Sequence, residues 1–344
     1  MIYQNTIIQF VAFFIPNRKL RHTFRNRFKT KSKYDILHDE NIMLKKEINQ
    51  LKAQCKIMRT EYKYLNYKYA LPEQRPEMLK DIFSERMSGV RLNLDNPRTF
   101  SEKIQWLKLN DMDDIKTILS DKYLVKEWVS KKIGEQYVIP LIGVYDTPEE
   151  IKWDDLPNEF VIKCNHGCAM NIIIKNKKDI NQNTIKARLN QWLSINFAFR
   201  AGFEMQYAAI RPKVIIEKKI ENEGYEDLID YKFLCFDGVV KYIQLIVDRS
   251  TNMSMVFYDL NWVKQSFTYN YPLYDKEISK PDNLDLMVNL AQKLAEGFKF
   301  VRVDFYRLND GTIYFGEMTF TPYSGYFKWN KGDTDRMLGD LLKI

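Results

Sequence analysis

Asp304 and Glu317 are the residues whose type and spacing point most directly to chemistry. They lie in FVRVDFYRLNDGTIYFGEMTFTPYSG, residues 300–325, where apolar and polar residues alternate on both sides of Asp310-Gly311. That pattern predicts a β-hairpin closed by a two-residue type I′ turn. Such a turn pairs residue 309 with 312 and carries the register back to Asp304 opposite Glu317. Arg302 then lies opposite Thr319 on the same face. Like charges directly across a strand pair are destabilising. Two facing carboxylates therefore imply a cation or substrate between them, and hard oxygen ligands suit a Mg²⁺ ion that also holds nucleotide phosphates. The bland alternative is a solvated hairpin face on which Arg302 neutralises Asp304. The tight, hydroxyl-rich turn that follows, Thr321-Pro322-Tyr323-Ser324-Gly325, favours the metal reading.

A nucleotide would also need cations, and two lysines are candidates. Lys163 ends the apolar run Phe160-Val161-Ile162 and enters a loop of small residues, Cys164 to Met170, with Gly167 its one glycine. A lysine at the edge of a buried strand needs a negative partner, because burying an unpaired charge is costly. The loop's backbone N–H groups could close over phosphates, although the signal is weaker than that of a P-loop. Lys122 precedes a helix and is unremarkable alone. Glu217 ends the apolar run Val214-Ile215-Ile216, a costly place for a carboxylate unless it meets a donor. Cys164, His166 and Cys168 could be taken for a metal cluster, but their spacing departs from the usual zinc pattern and no second ligand pair follows.

The elements that must position these groups occupy a chain of 344 residues, enough for two domains. A hydrophobic content of 45%, with 14% aromatic, describes a globular body rather than a disordered one. The net charge of +8 suggests nucleic acid until it is located. Eight basic residues and no acid fall within residues 1–34, and the remainder carries 45 basic against 45 acidic residues. A neutral body excludes a nucleic-acid-binding fold, which carries its charge on the folded surface. Four cysteines are too few for a disulfide framework and fit a reducing cytoplasm.

Residues 7–15 are mostly apolar, too short a run to span a bilayer and followed rather than preceded by positive charge, unlike a secretory signal. Leu20, Phe24 and Phe28 then recur every four residues among basic side chains. Residues 1–33 are thus expected to form a basic amphipathic arm for the anionic inner face of the cell membrane, the alternative being a disordered basic tail. From Tyr34 to Tyr69 a seven-residue repeat places Leu37, Leu44, Leu51, Met58 and Leu65 at d. Tyr34, Asn41, Ile48, Cys55, Tyr62 and Tyr69 fall at a. Ile and a single Asn at a with Leu at d predict a parallel homodimeric coiled coil over 34–71, against a lone helix folded onto the body. Leu71-Pro72 and Pro76 mark the boundary.

Residues 72–135 read as helical, with Ser101 a candidate cap for the helix holding Trp106. Strand patterns follow at 137–145, 160–163, 171–175, 213–220, 230–236 and 239–247, with helices at 181–199 and 284–297. The architecture expected is α+β, with two antiparallel-sheet lobes: 136–220 clamping the nucleotide and 221–344 holding the metal.

Taken in order, these segments resemble the TupA-like branch of the ATP-grasp superfamily, linked to teichuronopeptide and other surface-polysaccharide biosynthesis. The resemblance spans roughly 75–344. It rests on eight collinear blocks: FSEKIQWLK from Phe100, Asp121-Lys122-Tyr123, YVIPLIGVY from Tyr137, LPNEFVIKCNHG from Leu156, DYKFLCFDG from Asp230, FYDLNW from Phe257, VRVDFY from Val301 and FGEMTFTP from Phe315. It implies an ATP-grasp fold and an ATP- and Mg²⁺-dependent ligase joining a carboxylate to an amine through an acylphosphate. Lys122 and Lys163 correspond to the lysines on the ATP phosphates, and 164–170, with His166 and Gly167, to the lid over them. Glu217, Lys218, Lys219 and Ile220 correspond to the adenine hinge, with Glu217 near the exocyclic amine. Asp304 and Glu317 correspond to the Mg²⁺ carboxylates. The superfamily's usual Asn two residues after that glutamate is Thr319 here, which leaves the third ligand open. Arg249 and Arg302 are the cations expected near the transferring phosphoryl group, Arg249 having a surface salt bridge as its alternative. The acceptor, a carboxylate on a glycan or an amino acid, and the amine donor are not legible. The competing classes are a glycosyltransferase and a coiled-coil scaffold with a vestigial nucleotide fold.

Overall fold

The computed structural model describes residues 17–27, 33–220, 228–248 and 252–344. The chain divides into two units, 1–66 and 67–344, so the compact body begins at Tyr67 rather than at residue 72. The first unit contains α1 (Arg18–Arg27) and most of α2 (Lys33–Tyr69). Asn17 caps α1, its Oδ1 accepting from the N–H of Lys19 at 2.9 Å. Helix α2 runs 37 residues without Gly or Pro. It stops before Leu71-Pro72, where a residue preceding proline is pushed out of the helical region; Leu71 is extended at φ −66°, ψ 151°. The apolar run 7–15 lies outside the described residues. No described helix is long and apolar enough to cross a membrane.

The second unit opens with α3 (Arg75–Arg86), α4 (Phe100–Asn110), α5 (Asp114–Ser120) and α6 (Leu124–Ile133). Thr99, not Ser101, caps α4 through a reciprocal box: Thr99 Oγ1 accepts from Glu102 N–H at 3.2 Å and Glu102 Oε2 accepts from Thr99 N–H at 2.9 Å. Ser101 instead donates its hydroxyl to Asp335 at 2.9 Å.

Four strands follow: β1 (Leu141–Tyr145), β2 (Phe160–Cys164), β3 (Asn171–Ile174) and, after α7 (Gln182–Leu193), β4 (Val214–Lys218). Their order in the sheet is β1-β4-β2-β3. The second sheet holds β5 (Asp230–Phe236), β6 (Val239–Val247), β7 (Ser254–Tyr258) and, after α8 (Leu284–Ala295), β8 (Phe300–Arg307) and β9 (Ile313–Thr319); α9 (Thr334–Leu341) follows. Its order is β7-β6-β5-β8-β9. Every pairing between these strands is antiparallel, which gives the expected α+β architecture of two antiparallel lobes. Strand β7 and helix α9 have no counterpart in the sequence reading.

The alternation of β8 assigns the two faces of the large sheet. Val301, Val303 and Phe305 pack with Met287, Leu290 and Leu294 of α8 and with Val125 and Val129 of α6. On the other face Phe300 packs with Phe100, Ile104, Leu234 and Phe236, which ties α4 to the sheet. Arg302 and Asp304 follow on that second face.

The hairpin β8–β9 reaches the expected pairing by a different route. Gly311 N–H donates to Leu308 O at 3.0 Å and Leu308 N–H to Thr312 O at 2.8 Å, so the loop is the three residues Asn309-Asp310-Gly311. Gly311, at φ +87°, supplies the left-handed residue that such a loop needs. The longer loop moves the register by one, pairing Phe305 with Phe315 and Arg307 with Ile313. A bulge at Gly316 moves it back, and Asp304 pairs with Glu317 and Arg302 with Thr319.

Candidate functional site

Asp304 sits in a row of polar residues that crosses the large sheet. The register places Gln244, Lys232, Asp304 and Glu317 side by side on β6, β5, β8 and β9. Arg302 lies between the carboxylates. Its Nε donates to Asp304 Oδ1 at 2.7 Å, and its Nη2 to Asp304 Oδ2 at 2.7 Å, Glu317 Oε1 at 2.6 Å and Thr319 Oγ1 at 3.1 Å. Thr319 in turn donates its hydroxyl to Glu317 Oε1 at 3.0 Å. Lys232 closes the cluster from β5, bonded to Asp304 Oδ2 and 3.4 Å from Asp230 Oδ2. Cross-strand repulsion between the acids is thus answered by the protein's own cations.

The two acids are not equivalent. Both oxygens of Asp304 are taken by buried cations. Glu317 engages Arg302 through Oε1 and leaves Oε2 4.0 Å from Lys122 Nζ. Burial alone would raise the Glu317 pKa, but attraction by Arg302, then Lys122 and Lys232, outweighs it and holds the group at about 2. The same pairs push the Arg302 guanidinium above its ordinary range against the cost of its burial. An oxygen-only donor set flanked by fixed cations fits Mg²⁺ bound together with phosphates, with Glu317 Oε2 as the oxygen most open to it.

Lys163, expected in the small lobe, meets its partner there. Lys163 on β2 is 2.5 Å from Glu217 Oε2 on the neighbouring β4, so the lysine and the carboxylate that each required a partner satisfy one another. Lys126 of α6 adds a second cation, 2.5 Å from Glu217 Oε1, and also donates to Ile139 O at 2.9 Å. Burial raises the Glu217 pKa, and the two lysines more than reverse that, leaving it below the ordinary carboxylate value. Lys122, in the turn just before α6, donates to Gly167 O at 2.5 Å and so reaches the loop 164–170. Asn165 fastens that loop: its Nδ2 donates to Asp121 Oδ2 at 2.9 Å and its Oδ1 accepts from Lys213 N–H at 2.7 Å.

The His166 ring is buried, with Nε2 3.2 Å from Trp192 O, and burial lowers its pKa. Any part it takes in holding a nucleotide falls to its backbone. Beyond Glu217, the exposed Lys218 donates its N–H to Pro140 O at 3.0 Å, and Lys219 Nζ reaches Glu159 Oε2 at 3.2 Å. Ile220 is half-buried. Arg249 lies outside the described residues.

Four residues after Thr319 the chain enters a left-handed turn. Tyr323 and Ser324 have φ of 51° and 52°, and Gly325 has 72°. Non-glycine residues in this region cost roughly 1–2 kcal/mol each, so something must hold them. Lys108 does so from α4, its Nζ donating to Ser324 O at 2.8 Å and Oγ at 2.7 Å, while Gln105 Nε2 donates to Ser324 O at 2.9 Å. A Cβ on Gly325 would lie 2.5 Å from Gln105 Nε2 and 2.8 Å from Ile104 Cγ2, so α4 approaches too closely for another residue. Thr321 donates to Glu204 Oε1 at 2.6 Å and accepts from Gln206 Nε2 at 2.8 Å. Burial lowers the Lys108 pKa to about 8 against the attraction of Glu204.

Lys232, Lys126, Asn165 and Lys108 were not singled out by the sequence. Lys232 carries a legible signal, a lysine inside a strand that is apolar apart from its first residue, Asp230. Lys126 lies on α6 four residues after Lys122, which sits in the turn before the helix. Asn165 and Lys108 carry none.

A family model described as TupA-like ATPgrasp matches residues 102–343. No curated protein matches the chain. Among solved structures, D-alanine–D-alanine ligase from Bacillus anthracis is 19% identical, with 59% of this chain and 57% of that one covered at a TM-score of 0.33. Biotin carboxylase from Campylobacter jejuni is 16% identical, with coverage of 59% and 40% and a TM-score of 0.35. An L-amino acid ligase from Bacillus licheniformis is 9% identical, with coverage of 63% and 47% and a TM-score of 0.37. The chain spans about half the length of these solved structures.

Proposed function

The chain belongs to the TupA-like ATP-grasp family, and on that premise we propose that it is an ATP- and Mg²⁺-dependent carboxylate–amine ligase of bacterial cell-surface polysaccharide biosynthesis. One observation carries the reading: Lys122, tied to the loop over the small lobe, stands 4.0 Å from Glu317 Oε2 at the edge of the Arg302 cluster. A lysine bonded to the small lobe's loop thus approaches a carboxylate of the large sheet, which supports the reading.

Mg²⁺, when bound, would offset the phosphate charge. Glu317 would hold it through Oε2, with Asp304 and Thr319 behind that oxygen. Lys122 and Lys163 bind the phosphates, and the backbone of Lys218 to Ile220 meets the adenine. Glu217 orients Lys163 rather than reading the base, since both its oxygens already face lysines. Arg302 is preorganised by its bidentate bond to Asp304 and places positive charge beside the transferring phosphoryl group. Positioning and charge neutralisation carry most of the barrier in such transfers, so no general base is required. The substrate carboxylate attacks the γ-phosphorus, ADP leaves, and an amine then displaces phosphate from the acylphosphate to form an amide.

The acceptor is a carboxylate on a glycan or an amino acid, supported by the family's link to surface polysaccharides. The arm holds the enzyme at the anionic inner face of the membrane, supported by eight basic residues and no acid in 1–34. The test is a screen of purified protein with ATP and Mg²⁺ against uronic-acid glycans and amino acids, each with and without an amine. ADP release that requires both a carboxylate and an amine supports the ligase. AMP release or turnover of a nucleotide sugar instead overturns it.

A further inference from the structure

Helix α2 presents seven large side chains of one heptad seam, Leu37, Leu44, Ile48, Leu51, Met58, Tyr62 and Leu65, all between 47 and 66% exposed. Through the middle heptads the charges that flank this seam are sorted by sign. The position after Leu37, Leu44, Leu51 and Met58 is basic, being His38, Lys45, Lys52 and Arg59, and Asn66 follows the last d residue, Leu65. The position before the four inner a residues, Asn41, Ile48, Cys55 and Tyr62, is Glu40, Glu47, Gln54 and Glu61, while Lys33 and Lys68 precede the two end positions, Tyr34 and Tyr69. We propose that α2 pairs with a second copy of this chain as a parallel, in-register, two-stranded coiled coil whose orientation is set by these charges.

Parallel pairing brings the residue before a on one helix against the residue after d five positions further along the other. Glu40 of one chain then faces Lys45 of the other, Glu47 faces Lys52 and Gln54 faces Arg59, on both sides of the seam. No like-charged pair arises among these contacts. Antiparallel pairing would set basic positions against basic and acidic against acidic, and like charges across an interface oppose association. A one-heptad slip keeps the charges attractive but sets Asn41 against an apolar a residue, leaving its amide unpaired in the seam. In register, Asn41 meets Asn41 and Cys55 meets Cys55. This interface is independent of the ligase reading.

The test uses the full chain. Sedimentation equilibrium in reducing buffer across the micromolar range should give a dimer. The Glu40→Lys/Glu47→Lys chain should dissociate at least tenfold more readily, about 1.4 kcal/mol, and so should the Lys45→Glu/Lys52→Glu chain. A one-to-one mixture of the two should restore the dimer, which separates lost charge pairing from lost folding. Mild oxidation of the parent should link the dimer through Cys55, and Cys55→Ser should abolish the link while Cys168→Ser leaves it. A monomer or a trimer overturns the proposal. So does a dimer indifferent to both charge reversals, a mixture that fails to pair, or a dimer that Cys55 does not link.

Discussion

Arg302 and Lys232 change what the paired carboxylates are expected to do when altered. With the acids facing each other alone, neutralising Asp304 would relieve repulsion. In the structure Asp304 is the common partner of two buried cations, so Asp304→Asn strands both. Removing one partner of a buried ion pair costs about 3–5 kcal/mol, and Asp304→Asn is expected to lose stability of that order in urea denaturation without nucleotide, along with ATP turnover. Glu317 is a third exposed and shares Arg302 with Asp304, so Glu317→Gln should abolish turnover while moving the urea midpoint less than Asp304→Asn does. Equal destabilisation by the two changes would contradict the division between a structural and a metal-facing acid. The Glu317 pKa adds a pH signature. The folded value of about 2 lies below the ordinary 4.5, so this group's stabilisation is present above pH 4.5 and is lost as pH falls toward 2. The Glu317→Gln protein should lack that part of the acid-side decline.

The hairpin shows how far an element can be read from its residues. The alternation and the Asp-Gly signal located both strands, and the facing of Asp304 and Glu317 was legible. The loop length was not, because Asn309-Asp310-Gly311 closes as readily with three residues as Asp310-Gly311 does with two. The bulge at Gly316 compensates, and a glycine inside a strand was the available sign of it. Strand β7 escaped because it is a short edge strand in a sheet ordered by pairing, which periodicity does not report. The Lys108 contact to the turn at Ser324 escaped because it joins positions 216 residues apart in sequence. That contact can be tested by pH. The folded Lys108 pKa of about 8 lies below its ordinary 10.5, so between these values the unfolded chain binds more protons and this group's contribution to stability rises with pH. Lys108→Met should lack that rise when urea midpoints are compared from about pH 7 to pH 10. It should also lower turnover through the freed turn. Identical pH profiles for parent and Lys108→Met would remove Lys108 from the account of the turn.

At the scale of the whole molecule, a parallel α2 pair has a consequence for the arm. It places the two N-terminal arms at one end, and two weak membrane contacts acting together bind far more tightly than one. A single short basic segment attaches only marginally and is screened by salt. Deleting residues 1–33 should therefore release the protein from anionic liposomes while ATP turnover in solution stays unchanged, and added salt should release the parent. The coiled coil should matter to the membrane as much as the arm does. Proline inside a helix removes a backbone bond and clashes with the preceding turn, costing about 3 kcal/mol at each site, so Leu44→Pro/Leu51→Pro should break α2 without touching the body that begins at Tyr67. The expected product is a monomer with an intact arm, parent-like activity per subunit and liposome affinity at least tenfold weaker. Co-flotation with vesicles of increasing anionic-lipid content measures it. Undiminished binding by that monomer would mean that one arm suffices, and the pairing of α2 would then serve assembly alone.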